Sequence, residues 1–280
     1  MRFQLTLTRQ RGERLPLSYQ YELSAWLYRV IQAASPEFSR FLHEQGYPLG
    51  NQETATKRFK LFTFSHLQIP TYRVEKEKGR LWVQSPDVQL QVSFCLEEAA
   101  EHFITGLFMN QRFALGDKQS QIDFMVTAVE ALPRPVFTQT SSFRTLSPLC
   151  VSVSEERNGR LMPQYRSPED PDFTACLLDN LINKYIALAQ YQPAGASMSA
   201  QQEEPAMAFR LLSVPKEKKI VIKANTPEET KIRAYLFDFE LQAPIPLLEF
   251  GYAAGFGEKN STGFGCVAVK TRQVLETCRV

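Results

Sequence analysis

The chain has almost no surplus of charge: 32 lysines and arginines stand against 30 aspartates and glutamates, a net of +2. A globally polycationic surface is therefore absent, and any site for a polyanion must be local, made by placing a few cations rather than by accumulating them. Cysteine is sparse and scattered. Cys95, Cys150, Cys176, Cys266 and Cys278 form no CxxC pair and no close Cys/His group. Most lie in or beside apolar runs, where a free thiol behaves as a small hydrophobe. The pattern argues against structural zinc and a disulfide framework, and fits a reducing cytosol. No run approaches the ~18 apolar residues of a membrane span. Arg2, Arg9, Arg11 and Arg14 precede no apolar core with a cleavage site, so a signal peptide is not expected. HExxH, GxxxxGK[ST] and GxSxG are all missing. The carboxylates are not clustered as a two-metal nuclease requires, so any nuclease here should work without metal.

Against this background the segment Gly255-Phe256-Gly257-Glu258-Lys259-Asn260-Ser261-Thr262-Gly263-Phe264-Gly265 stands out. Two Gly-Phe-Gly units flank a polar linker, and five of the 13 glycines fall between Gly251 and Gly265. Backbone N–H groups, hydroxyls and the Lys259 ammonium are donors suited to phosphate. A tight helix-to-strand connection that needs glycine for geometry alone is the plainer alternative.

Periodicity divides the chain in two. Residues 2–8 alternate as a half-buried strand, and 18–34 carry Leu23, Trp26, Leu27, Val30 and Ile31 on one helical stripe. Ser35-Pro36 supplies a cap and a first-turn proline for a short helix to about Gln45. Residues 58–65 and 80–94 read as strands and Leu96 to Asn110 as a helix, with strand-like segments within 112–129. Pro133-Arg134-Pro135 breaks the pattern. A similar order follows: a strand at 143–154, a helix from Ser167-Pro168 with Phe173, Leu177, Leu181, Tyr185 and Leu188 on one face, and a polar loop at 191–206. Strands at 207–214 and within 218–240, a short helix at 244–254 and a strand at Phe264–Lys270 complete it. Two passes of β-α-β-β-α-β predict an α+β protein of two tandem ferredoxin-like domains, 1–132 and 133–280. Such sheets often bind RNA, but the fold alone does not decide function.

Histidine is limited to His43, His66 and His102. On the short helix the apolar face is Phe38, Phe41 and Leu42, and at about 100° per residue His43 leaves that face. Tyr28 likewise lies off the stripe of its own helix; the rim of the core is its alternative place. Lys60 opens Lys60-Leu61-Phe62-Thr63-Phe64-Ser65 beside Lys57 and Arg58, either as a cation for phosphate or as a solvated strand end. Lys216, Lys218 and Lys219 fall at a hairpin, with Lys223, Lys231 and Arg233 nearby. They suit an RNA backbone, and a solvated hairpin tip equally.

Taken together, the glycine segment, Phe41-Leu42-His43-Glu44, Lys60–Ser65, Thr145-Leu146-Ser147-Pro148 and Gly106-Leu107-Phe108-Met109-Asn110 resemble the CRISPR-associated endoribonucleases of the Cas-six family, in the RAMP superfamily. The likeness runs from Met1 to about Lys270. The resemblance implies metal-independent cleavage of repeats in precursor CRISPR RNA by 2′-hydroxyl attack, giving a 2′,3′-cyclic phosphate, a 5′-hydroxyl and guide RNAs with a 5′ repeat handle. It implies Tyr28, His43 and Lys60 as the catalytic set, with the acid and base roles of Tyr28 and His43 left open. The residues themselves make Gly255, Gly257, Lys259, Asn260, Ser261, Gly263, Gly265, Lys216, Lys218 and Lys219 the expected RNA-binding set. No cofactor or metal is expected. The expected partners are repeat RNA and other CRISPR effector subunits, with no membrane, in a prokaryotic cytoplasm, as monomer or homodimer. Two rivals are a catalytically silent repeat-RNA-binding subunit and a two-domain enzyme holding a small phosphorylated ligand at the glycine loop.

Overall fold

A computed structural model describes residues 1–50, 55, 57–157, 159–191, 207–224 and 226–270. Most of the polar loop expected at 191–206, and Cys278, lie outside them.

The Arg2–Arg11 strand buries Phe3, Leu5 and Leu7 on one face, as a period of two requires. It lies inside a five-stranded antiparallel sheet ordered Phe62–Phe64, Asp87–Phe94, Arg2–Arg11, Gln121–Ala131, Arg112–Gly116. Without the Arg112–Gly116 edge strand, the order is that of a ferredoxin-like unit, with the Gln20–Ala34 and Glu97–Met109 helices as its crossovers. The second half repeats the order with Ala208–Leu211, Asp238–Gln242, Thr140–Thr145 and Val267–Val269, crossed by the Phe173–Tyr191 and Ile245–Ala254 helices. The protein is α+β, with two ferredoxin-like folds in tandem.

One continuous apolar core takes residues from both halves. Polar pins reinforce the junction. The buried Arg2 guanidinium donates to the carbonyls of Val267 (2.6 Å) and Tyr252 (2.5 Å) and lies 3.6 Å over the Tyr252 ring. The Thr63 hydroxyl donates to the Phe264 carbonyl at 3.0 Å.

Several expected strands are shorter than their hydrophobic patterns. The 58–65 run splits into Arg58–Phe59 and Phe62–Phe64, because buried Leu61 adopts φ +51 and kinks the chain. The 80–94 run splits into Arg80–Val83, which joins a separate three-stranded sheet, and Asp87–Phe94. The 143–154 strand breaks after Thr145 and resumes at Ser152, since Leu146–Val151 bond to other segments instead of one ladder. The helix expected from Ser167 begins at Phe173. Ser167 instead makes a turn in which its N–H donates to Asp170 Oδ2 at 2.7 Å.

Candidate active site

Tyr28 projects from the Gln20–Ala34 helix at the rim of the core. Its ring meets the Phe62 ring edge-on at 5.6 Å and the His43 ring edge-on at 5.7 Å. Of the two places that the sequence leaves open for Tyr28, it takes the rim of the core. Burial pushes its hydroxyl up to about 12, partly offset by a hydrogen bond with the Ser261 side chain.

His43 reaches its position through an unusual turn. Ser35 caps the Pro36–Arg40 helix by accepting from the Phe38 N–H at 3.2 Å. The chain then widens into a π-helical turn, Phe41–Gln45, closed by Gly46 N–H donating to the Phe41 carbonyl at 2.7 Å. Such turns recur at functional sites. Leu42 is fully buried, which leaves His43 exposed. Gly46 ends the turn at φ +61, and a Cβ there would lie 2.5 Å from the Phe59 carbonyl and 3.1 Å from Lys60 Nζ. Only glycine leaves room for Lys60 to pass. Lys60 Nζ then donates to the His43 carbonyl at 2.9 Å. Burial, with Arg58 adding to it, lowers Lys60 to about 8. Tyr28, His43 and Lys60, distant in sequence, therefore share one corner.

The glycine segment supplies the facing wall. Gly255, Gly257, Gly263, Gly265 and Asn260 are buried. A Cβ on Gly265 would stand 1.8 Å from the Phe256 carbonyl, and one on Gly257 2.5 Å from the Cys150 carbonyl. The close approach that these glycines permit is to protein backbone, which is the plainer of the two sequence readings. Of the expected RNA-binding residues in this segment, Lys259 is exposed and Ser261 partly so. Between the two walls lies a cleft of about 730 Å³ lined by Lys57, Arg58, Lys60, Lys259, Ser261 and Asn180, among others. Its cations are the local concentration that a nearly neutral chain needs to attract a polyanion.

Two residues of this wall escaped sequence reasoning. Glu258 accepts from the Ser152 N–H at 2.8 Å and from its hydroxyl at 2.9 Å. Lys184, 2% exposed, donates to the carbonyls of Gly255 (2.5 Å) and Gly257 (3.0 Å) and to Asn260 Oδ1 (3.0 Å). Its signal was present: in Phe173, Leu177, Leu181, Lys184, Leu188, a lysine stands on an apolar helical stripe.

The hairpin lysines do not form one patch. In the Lys216–Ile222 strand, alternation puts Lys216 and Lys218 on the face of buried Ile220, and Lys219 on the opposite face. There Lys219 and Arg233 both pair with Glu217, at 3.7 and 3.1 Å. His66 and His102 stand apart from the site. Burial, with Lys218 adding to it, lowers His66 to about 4, and its Nε2 is 2.9 Å from Gln20 Nε2. The His102 ring packs 4.9 Å from that of Phe38. Among the described residues, no three His, Cys, Asp or Glu side chains group as metal ligands would, and no helix is long and apolar enough to cross a membrane.

Comparison with known proteins agrees along the chain. Residues 14–130 match the family model described as CRISPR-associated protein Cas6, N-terminal, and 132–269 match CRISPR associated protein Cas6, C-terminal. The chain is 29% identical to the CRISPR-associated endoribonuclease Cas6 of Pyrococcus furiosus, over 96% of this chain and 90% of that protein. It is 28% identical to CRISPR-associated endoribonuclease Cas6 1 of Methanocaldococcus jannaschii, over 95% and 92%. The solved structure of a Cas6-related protein from Pyrococcus furiosus superposes with a TM-score of 0.78 at 24% identity, covering 98% of this chain and 99% of that one.

Proposed function

Because the chain belongs to the CRISPR-associated Cas6 family, we propose that it is an endoribonuclease that cuts the repeats of precursor CRISPR RNA without metal. The observation that carries this reading is the meeting of Tyr28, His43 and Lys60 at one corner, with Lys60 lining the adjoining cation-lined cleft. The boundary between its two functional halves is placed at 132/133, and repeat RNA is its partner in a prokaryotic cytoplasm.

RNA self-cleavage needs a base for the 2′-hydroxyl proton, an acid for the leaving 5′-oxygen, and positive charge for the phosphorane. Tyr28, with its hydroxyl pushed up to about 12, is protonated at neutral pH and enters as the donor. The acceptor role then falls to His43, whose ring nitrogen can take up the 2′-hydroxyl proton. Lys60, lowered to about 8, still carries its charge at pH 7 and faces the phosphate. The 2′-oxygen bonds to phosphorus as the P–O5′ bond breaks, leaving a 2′,3′-cyclic phosphate and a 5′-hydroxyl. Lys57, Arg58 and Lys259 hold the flanking backbone.

The test is incubation with the repeat RNA of the same genome, with and without EDTA, followed by mapping of the ends. Cleavage at one position, unchanged by EDTA and lost when the nucleotide 5′ to the cut lacks its 2′-hydroxyl, is expected. Loss on chelation with recovery in magnesium defeats the mechanism. Tight binding without cleavage makes the protein an RNA-holding subunit instead.

A further inference from the structure

Lys184 is a buried ammonium that the reaction above does not use. It sits on the Phe173–Tyr191 helix of the second half and is 2% exposed. An ammonium has three donors, and all three are engaged by the glycine segment: the carbonyls of Gly255 and Gly257, and Asn260 Oδ1. None of these acceptors is a carboxylate. The Asn260 amide nitrogen in turn donates to the carbonyls of Phe256 and Phe264, both at 3.0 Å. One asparagine thus ties the two Gly-Phe-Gly units together, and Lys184 fixes which way its amide points, because only the oxygen can face an ammonium. The next residue, Ser261, has its carbonyl held by the Ser24 hydroxyl at 2.7 Å and its side chain near the Tyr28 hydroxyl. Ser24 and Tyr28 are one turn apart on the same helix face, so the segment docks in register with the tyrosine.

We propose that Lys184 is a positioning residue for Tyr28, acting across the two halves through Asn260 and Ser261. The inference rests on the reading of Tyr28 as catalytic. Its energetics favour a positional role over a packing one. Burying an ammonium is costly, and burial here lowers Lys184 to about 7. An apolar side chain of similar volume would fill the space without that cost, but would leave Gly255, Gly257 and Asn260 oxygens unpaired in the interior.

The experiment compares Lys184→Met, Ser261→Ala and Tyr28→Phe, and each of the first two combined with Tyr28→Phe. Single-turnover cleavage of repeat RNA and affinity for a 2′-deoxy, uncleavable repeat are measured on the full chain. Lys184→Met is expected to slow cleavage about 10- to 100-fold, the scale for displacement of a reacting group by a remote change, with affinity within a few-fold. In the Tyr28→Phe background the same change should cost almost nothing further, since both remove one arrangement. Amide hydrogen exchange at Phe256, Glu258, Thr262 and Gly263 should quicken in Lys184→Met. If Lys184→Met does not fold, Ser261→Ala carries the test: it should slow cleavage severalfold alone and not in Tyr28→Phe. A full, independent loss in the Tyr28→Phe background overturns the inference, as do wild-type rates in Lys184→Met and Ser261→Ala. An unmodified protein that does not cleave defeats the enzyme reading first, and so separates the two failures.

Discussion

The two halves of the molecule reach their last strands by different routes. In the first, the Glu97–Met109 helix leads into a hairpin, Arg112–Gly116 against Gln121–Ala131. That hairpin satisfies its own backbone through a ladder, and its tip at Lys118 and Gln119 is exposed. In the second, the same slot after the Ile245–Ala254 helix holds the Gly255–Gly265 segment. There part of the backbone is satisfied from elsewhere: Gly265 N–H donates to the Pro148 carbonyl at 2.9 Å and Glu258 N–H to the Cys150 carbonyl at 2.8 Å, while Lys184 takes two of the carbonyls. The turn of that hairpin bonds within the first half, where Arg80 pairs with Asp117 at 2.8 Å. A loop held by other elements ties them to one another, and this one ties the second half to the helix bearing Tyr28. One fold repeated twice is thus tied across its halves where the repeat is broken.

The comparison is sharpest if chemistry belongs to the first-half wall and architecture to the loop. His43→Ala should then give the largest effect on turnover. A positioned acid–base group contributes typically ~10²–10⁴-fold, and His43 is exposed on a surface turn, so neither folding nor RNA affinity should change much. Single-turnover rates at saturating RNA, with circular dichroism as a check, measure this. A wild-type rate would remove His43 from the mechanism.

A second, smaller effect concerns pH. Burial lowers Lys60 to about 8, so its charge is present below that pH and lost above it. At pH 9 only about a tenth of the molecules would retain the ammonium. Lys60→Arg stays charged throughout. Its rate relative to wild type should therefore grow about tenfold between pH 7 and pH 9, whatever constant offset the bulkier guanidinium introduces. A ratio flat across that range would mean that the charge of Lys60 does not act on the phosphate.

Much of this was legible in the sequence, for identifiable reasons. The alternation of residues 2–8 and the stripe from Leu23 to Ile31 each report a face buried against one partner, and both elements appear. The meeting of Tyr28 and His43 was legible through spacing: a capped turn at Ser35-Pro36 joins their elements. What the pattern hides is where an apolar run stops being one element. Leu61 is as apolar as its neighbours, yet its positive φ divides the strand and turns Lys60 into the cleft. The glycines were conspicuous, but their partners were not: Pro148, Cys150 and Lys184 lie 70 or more residues away in the chain, and no local periodicity encodes a contact at that distance.

The smallest expected effect tests the loop's outward face. Lys259 holds φ +57 and is exposed on the cleft wall opposite Lys57 and Arg58. Lys118, at the tip of the corresponding hairpin of the first half, is equally exposed but lines no part of that cleft. Glutamine keeps the length of either side chain and removes only the charge. If Lys259 meets a phosphate, Lys259→Gln releases one fewer counterion. The plot of log affinity for uncleavable repeat RNA against log salt should then become shallower by about 0.7, the single-strand value per contact. The cleavage rate at saturating RNA should stay near wild type, since a contact to flanking backbone binds ground and transition states alike. Lys118→Gln should leave the slope where it was. Equal slopes for both variants and the wild type would make Lys259 a solvated loop residue and confine the loop's contribution to holding the walls of the cleft together.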